Sequence, residues 1–506
     1  MSIDAALLIA RSGLLHTQRA LSNAAENVAN ANTDGYTRKR IVGEAISANG
    51  QGSGVRTLGP MREVDTALVN EMNKRRSAKS AAEIRVAVLE RISQAHGNPA
   101  NADGLGDLVA KLRTSFVELR ADPSQVARQQ TIVLGAATNL TDRFNELANV
   151  IGEVRQGAHD GIVREITQVN SAIREITTLT RSIMERKGAG VPTADIEDQR
   201  DLALARLSES IAITPIHQQN GGLLLLGAGG ITIPMQESGD VFTLDSATIT
   251  YDNFYGTGGT IPPIRLNGVD VTKQMVGGRI GEQLTLRDQT LPRYQAEIDI
   301  AAAEIADRFR AEGLRLFTDS DGSVPSPDLA YVGSAQIGFA ARMKVNPAVT
   351  NDVRLVRDGT ETIVGPPSFT PNPIGGPAGF TVLIDRILDQ SFGATSSGGT
   401  SWGGFRTTGL GPDGSLSSPF GSPATLQDYS SLITATQTAD GAEAIKALES
   451  AEQFSDGLEA RFTRQSRVDV DSEMASLIQL QSAYAANARV LSTAQSMWET
   501  LIGAVR

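Results

Sequence analysis

"NVANANTDGYTRKR", residues Asn27–Arg40, closes a stretch that otherwise reads as a good helix. A helix near the chain start that ends in three asparagines, small residues and a Gly-Tyr turn has no large apolar anchor. An ordinary globular core has little use for such an end. Upstream, Leu7, Leu14, Leu21 and Val28 recur every seven residues, and Ile3, Ala10, Thr17, Ala24 and Ala31 form a companion series. The spacing predicts a helix over residues 3–31 whose seam is large on one side and small on the other, so that a partner helix can approach closely. Asn23, Asn27 and Asn30 lie beside that seam at i, i+4, i+7 spacing. Such a stripe is either a solvated face or a polar strip that fixes register against a partner. Gly35 supplies a stop signal, and the chain then reads as irregular and Gly-rich to about Pro60.

The chain end mirrors its start. Val470, Leu477, Tyr484, Leu491 and Trp498 recur every seven residues, with Met474, Gln481, Ala488, Gln495 and Ile502 as companions. Two such helices can pair with each other and keep apolar surface for neighbours. Ordering a long helix costs roughly 1–2 kcal/mol per residue, largely offset by its hydrogen bonds. Each large seam residue returns only about 1.5–3 kcal/mol on burial. One pair is therefore marginal alone, and many pairs covering one another are stable.

Between the ends, helical periodicity dominates. Residues 61–95 carry Val64, Leu68, Ala81, Ile84, Val88 and Ile92, and Leu105–Leu119 form a shorter helix closed by Asp122-Pro123. The strongest stripe runs Val133, Ala137, Leu140, Phe144, Leu147, Ile151, Val154 and, after a weak point at "GAHDG" (157–161), Ile162, Ile166, Val169, Ile173, Ile176 and Ile183. That pattern fits one long helix or a helical hairpin. From Ile211 to Gly277 the chain turns β-like, with "LLLL", "ITIP", "VFTL", "TITY" and an Asn267-Gly268 hairpin turn. Residues 318–425 are rich in Gly, Pro and Ser, show little apolar patterning and read as a small outer segment that projects. The fold class is mainly α with β-rich insertions, elongated and multidomain, with the terminal helices paired in a coiled coil. An inner domain takes 1–60 and 466–506. A helix-rich middle domain takes 61–317 and 426–465, with its β portion near 211–277, and 318–425 lies outermost.

Composition narrows the function. The 506-residue chain carries a formal charge of −11, which repels phosphate backbones, so nucleic acid is not an expected partner. It has no cysteine, which excludes disulfides, thiolate catalysis and Cys-ligated zinc. The opening "MSIDAALLIARSG" lacks a basic n-region and a long apolar h-region, so no cleavable Sec signal and no membrane insertion are expected. His16, His96, His159 and His217 have no metal-ligand spacing. "GGLLLLGAGG" lacks the Lys-Ser/Thr ending of a P-loop, and "DSDGS" (319–323) has Ala330 where a calcium loop needs a bidentate Glu. No nucleophile elbow or acid/base dyad stands out. The expectation is no catalytic site, no cofactor and no metal.

Three groups of residues then carry a family resemblance. "SGLLHTQRALSNAAENVANANTDGYTRKR" (12–40) resembles the N-terminal signature of bacterial flagellar axial proteins, with Asp34 where that family often has Pro. "SEMASLIQLQSAYAANARVLSTAQSMWETLIGAV" (472–505) is similar to their C-terminal end. "DPSQVARQQTIVLGAATNLTDRFNEL" (122–147), "DIEDQRDLALARLSE" (195–209), "GGRIGEQLTLRDQTLPRY" (277–294) and "KVNPAV" (344–349) resemble the hook-associated family that forms the hook–filament junction.

The resemblance implies a structural subunit, not an enzyme. It implies a mechanical adaptor between hook and filament that is needed for filament assembly and motility. Its partners would be copies of itself in a ring or helical stack, the hook protein, the second junction protein, a cytoplasmic export chaperone and the flagellar type III export apparatus. Its place would be outside the cell, on the flagellum. By resemblance the chaperone captures the C-terminal segment, here Leu477, Tyr484, Leu491 and Trp498. Asn27, Asn30 and Asn32 would then end the inner helix in fixed register with neighbouring subunits, while Gly35 and Tyr36 turn the chain outward. The alternatives are another axial protein, whether hook or second junction protein, an enzyme carried on 318–425, or a plain cytoplasmic coiled coil.

Overall fold

Heptad patterning at both ends and a long 3.6-residue stripe between them build a mainly helical chain. The computed structural model describes residues 3–48, 51–97, 99–124 and 126–505. Helix α1 (Ile3–Ala29) leads into a β-hairpin of β1 (Lys39–Ala48) and β2 (Gln51–Arg62). Four helices follow: α2 (Thr66–Ala95), α3 (Leu105–Ala121), α4 (Val126–Gly188) and α5 (Ala194–Ser210). Two small antiparallel sheets come next, β3 (Ile213–His217) with β4 (Leu223–Gly227) and β5 (Thr232–Ile233), then β6 (Phe242–Thr243) with β7 (Arg265–Leu266) and β8 (Val269–Asp270). Helix α6 (Gly278–Thr285) runs through one π-helical turn into α7 (Leu291–Ala311). The next stretch holds strand β9 (Phe317–Thr318), paired with β10 (Lys344–Val345), and strands β11 (Thr408–Leu410) and β12 (Leu416–Ser417), paired with each other. Its short helices are α8 (Phe339–Arg342), α9 (Pro347–Asn351), α10 (Leu355–Asp358) and α11 (Val382–Arg386). The chain closes with α12 (Leu426–Ser466) and α13 (Val470–Val505).

Several expectations are settled here. The stripe from Val133 to Ile183 forms one helix of 63 residues, about 95 Å long at 1.5 Å per residue, and it does not break at residues 157–161. Gly161 belongs inside it because a Cβ there would lie 2.3 Å from the Gln283 amide of α6, so the glycine admits a packed neighbour. The β portion is real, with the turn at Asn267 (φ +50°) joining β7 to β8, although "TITY" (248–251) forms no strand. The stretch expected to be irregular to Pro60 is instead the β1–β2 hairpin. Its pattern is weak because its close approaches to α1 are made by Gly43, against His16, and Gly54, against Ser12. Gly54 (φ +120°) places the strand so close that a Cβ would lie 2.3 Å from Ser12 Oγ, which accepts the Val55 N–H at 3.1 Å.

Residues 318–425 do not merely project. Phe339, Met343, Val356, Leu383, Ile387, Phe392, Phe405 and Leu410 are buried in one apolar cluster with α3, the first half of α4, α7 and the start of α12. Sequence periodicity missed this because these side chains sit singly on turns and helices too short to show a period. At the centre, Phe309 packs against Phe116, Phe317 and Phe392 with ring centroids 5.4–5.8 Å apart. A second cluster joins the rest of α4 to α5, α6 and the small sheets.

Helix α7 is buried nearly all round and fastens the wrapping segment with carboxylates. Asp299 accepts hydrogen bonds from the Tyr331 hydroxyl (2.8 Å) and the backbone amides of Gly338 (2.7 Å) and Ala340 (2.8 Å). Burial lifts its carboxyl to about 6 against these donors. Glu297 accepts from Ser418 Oγ and Gln437 Nε2, both at 2.9 Å. That bond orients the Gln437 amide so that its oxygen, 2.8 Å from His96 Nε2, accepts the imidazole N–H.

Burial lowers His96 from 6.5 to about 4, against the Gln437 bond, so the ring stays neutral in the folded chain. A group depressed in this way leaves stability whole above 6.5. It removes stability as pH falls toward 4, because the unfolded chain takes the proton first. Asp299 acts in the opposite sense between 3.8 and about 6. Comparison of wild type with His96→Gln isolates the histidine. The variant should lose less stability between pH 7 and pH 4, the difference reaching about 3 kcal/mol in urea titrations.

Candidate functional site, the terminal helix pair and its joint with the body

Helices α1 and α13 pack side by side. The close contact uses the small companions: Ala10, Thr17 and Ala24 are buried on α1, and Ala494 is buried on α13. Gly13 lets Asn487 approach, a Cβ there lying 3.2 Å from its amide oxygen. The large seam residues Leu7, Leu14, Leu21, Val28, Leu477 and Leu491 are half-buried, while Val470, Tyr484 and Trp498 are exposed.

A further set of large apolar side chains is exposed around the pair: Leu8 and Leu15 on α1 and Met474, Ile478, Val490, Met497 and Ile502 on α13, with Ile478 62% exposed. Of these the heptad series includes only Met474 and Ile502. The signal for Leu8 and Leu15 was the pair of doublets Leu7-Leu8 and Leu14-Leu15. Adjacent helix positions point about 100° apart, so one leucine of each pair turns away from the other's face.

The signature quoted at the outset builds the joint between this pair and the helical body. Asn27 is fully buried, and its amide engages both backbone groups of Lys39, donating to the carbonyl (2.9 Å) and accepting the N–H (3.2 Å). Asn23 donates to the same carbonyl at 2.7 Å. The Tyr36 hydroxyl donates to Asn27 Oδ1 (3.0 Å), and Asn27 Nδ2 lies 3.3 Å from Glu473 of α13. Asn30 is half-buried and bonds its own helix at the Glu26 carbonyl, and Asn32 is exposed. Gly35 (φ +73°) makes the turn that a side chain would strain, and it faces Leu202 of α5.

Arg38 ties the three chain crossings together. Its N–H donates to the Ser466 carbonyl at the end of α12 (2.8 Å), and its carbonyl accepts the Glu63 N–H (3.1 Å). Its guanidinium reaches Glu473 (2.6 Å) and Glu63 (3.1 Å). The bond to Glu473 raises the Arg38 pKa above the ordinary arginine range. On the body side, Asp198 of α5 receives the Thr37 hydroxyl (2.6 Å) and N–H (3.2 Å), Lys39 Nζ (3.0 Å) and Arg62 Nε (2.8 Å). Arg62 also pairs with Asp201, and Lys39 with Asp195 (2.6 Å). Burial disfavours the Lys39 charge, yet the Asp195 and Asp198 carboxylates hold its pKa above the usual lysine range. Burial raises Tyr36 against the neighbouring Lys39, whose ammonium sits 3.5 Å over the ring. A cavity of about 190 Å³ lies beneath, lined by Tyr36, Met72, Leu202 and Phe462 among others.

Sequence reasoning found Asn23, Asn27, Gly35 and Tyr36 but missed Arg38, Lys39, Arg62, Asp198 and Glu473. The available signal was complementarity: "RKR" after the turn, and Asp195, Asp198 and Asp201 at three-residue spacing on one helix. The arrangement clamps chain segments together by charge and hydrogen bonds. Among the described residues no group of His, Cys, Asp and Glu fits a metal ion, and no helix is long and apolar enough to cross a membrane.

Comparison with known proteins gives this arrangement its class. Residues 7–37 match the family described as flagella basal body rod protein, and 460–504 match the flagellar basal body rod FlgEFG protein C-terminal family. Both ends are therefore similar to flagellar rod-type proteins, and they are the segments that pair. Residues 89–315 match the flagellar hook-associated protein FlgK helical domain. Curated relatives agree. Flagellar hook-associated protein 1 of Salmonella typhimurium is 25% identical over 372 residues, covering 70% of this chain and 66% of that protein. The Bacillus subtilis protein of the same name is 27% identical over 235 residues, covering 44% and 46%, and that of Escherichia coli is 24% identical over 318 residues, covering 60% and 56%. The chain thus aligns with slightly less than two thirds of the Salmonella relative and with smaller shares of the others. A solved structure, the flagellar hook junction protein FlgK from Burkholderia pseudomallei, aligns at 21% identity and a TM-score of 0.39 over 51% of this chain and 46% of that one. The family models and the relatives agree with the resemblance read from the sequence: the chain is similar to flagellar hook-associated protein 1, and its residues 89–315 to the FlgK helical domain.

Proposed function

We propose that this chain is a structural subunit of the bacterial flagellum, placed at the hook–filament junction as a mechanical adaptor on which filament assembly and motility depend. The observation that carries the reading is the terminal helix pair, made from both chain ends, with large apolar side chains open to solvent around it, among them Leu8, Leu15, Ile478, Val490 and Ile502. Covering the exposed part of each would contribute roughly 1 kcal/mol. The natural cover is the same pair in neighbouring copies, arranged as a coiled-coil ring or helical stack, with hook protein on one side and the second junction protein on the other. The terminal segments 1–60 and 466–506 form the inner domain in this proposal. The helical body stands outside it, with 318–425 farthest from the axis.

Inside the cell the same surface needs a mask. An export chaperone that covers Leu477, Tyr484, Leu491 and Trp498 before passage through the type III apparatus would provide it. The role is non-enzymatic. A rod or hook subunit would share the terminal segments, but the FlgK-type helical domain over 89–315 supports the junction reading.

Deleting the gene in its source bacterium and imaging the flagella tests the assignment. Hooks without filaments, with filament protein shed into the medium, are expected, and normal filaments would overturn it.

A further inference from the structure

Neither apolar cluster takes a described side chain from residues 3–62 or 467–505. No apolar core therefore runs through the joint. The terminal pair and its hairpin meet the body chiefly through the polar network around Arg38 and Asp198, with Gly35 on Leu202 and Gly59 against Pro192 as close backbone approaches. Asp198 is buried, and each of its hydrogen-bond and ion-pair partners, Thr37, Lys39 and Arg62, lies on the terminal side of the joint. The cavity of about 190 Å³ under the Gly35–Tyr36 turn leaves the joint loosely filled, so motion there displaces little packed matter.

From this placement we propose that Asp198 is a release catch: the terminal helices and the hairpin dock on α5 as one cooperative unit, held by this carboxylate, and undock as one unit when its charge is removed. A contact on α5 then governs α13, whose first residue, Val470, lies far along the chain. The coupling runs through Arg38, which touches Glu473 of α13 while its neighbours Thr37 and Lys39 hold Asp198. Undocking exposes the apolar floor formed by Met72, Leu202 and Phe462. The catch supplies what a marginal helix pair lacks on its own, a fixed attachment before neighbours arrive.

Hydrogen exchange with mass spectrometry on the full-length chain, wild type against Asp198→Asn, tests the catch. Asparagine keeps the shape and removes the charge. Amide protection in α1 and α13 should fall together by at least about tenfold, while protection in α4 and α7 is unchanged.

Unchanged protection in both helices, a loss confined to residues 35–40, or absent protection of α1 and α13 in wild type would each overturn the proposal. A parallel fall in α4 and α7 would also overturn it, since Asp198 would then be holding the body. No polymer takes part in the measurement, so its failure is separate from failure of the junction assignment.

Discussion

An Asn27→Leu chain should keep its helical body folded and lose the order of its terminal pair. Leucine keeps the branched skeleton, though bulkier, but leaves the Lys39 N–H without its acceptor, removes one of two donors from the Lys39 carbonyl and strips the Tyr36 hydroxyl of its partner. All of this happens at a fully buried position. Each buried polar group left unsatisfied costs about 1–3 kcal/mol, so docking should weaken by about 3 kcal/mol or more, over a hundredfold. Limited proteolysis should then cut within α1 and α13 first, with a surviving core that begins near α2. Urea unfolding of that core should match wild type within about 0.5 kcal/mol, because neither apolar cluster includes Asn27. A uniform drop in core stability with intact termini would mean that the asparagine serves the body instead.

This effect differs from that of the α5 catch. Asn27 holds the hairpin strand to α1 and α13 within the terminal unit, whereas Asp198 holds that unit to the body. The two substitutions should separate by where protection is lost first. Asn27→Leu loosens the strand from α1, and Asp198→Asn leaves strand and helices together.

Long helices were legible because their signal repeats many times. The row from Val133 to Ile183 is buried along one helix, and the turn at Asn267-Gly268 sits where its residues demand. Short and interrupted elements were not. The β1–β2 hairpin is diluted by Gly43, Gly52, Gly54 and Gly59, and at Gly43, Gly54 and Gly59 backbone rather than side chain meets a neighbour. The core residues of 318–425 lie on helices of four or five residues, below the length at which a period can be counted.

At the joint, one half was readable and the other was not. Asn27, Gly35 and Tyr36 announce an unusual helix end, but their meaning depends on Asp198 and Glu473. Thr37 meets Asp198 across 161 residues, and Asn27 meets Glu473 across 446. Local pattern carries no register for contacts so distant. Only the basic run 38–40 and the aspartates at 195, 198 and 201 hinted at the pairing, and of that run Lys39 alone meets them.

The larger functional consequence concerns the exposed apolar side chains of the terminal pair. Ile478 is 62% exposed and Val490 52% exposed, so aspartate at both sites should leave the isolated chain's stability within about 0.5 kcal/mol. In an assembly both positions would be covered by apolar neighbours. A carboxylate there costs about 3 kcal/mol or more per contact, over a hundredfold for each subunit added, and the cost recurs around a ring. Export and folding should survive while assembly fails.

Electron microscopy of flagella in the source bacterium, with its gene replaced by the Ile478→Asp, Val490→Asp version, puts the central claim to its most direct test. Folded, exported variant protein and hooks that carry no filaments are the predicted result. Filaments of normal number and length on those cells would contradict the claim that copies of this chain join through their terminal helices.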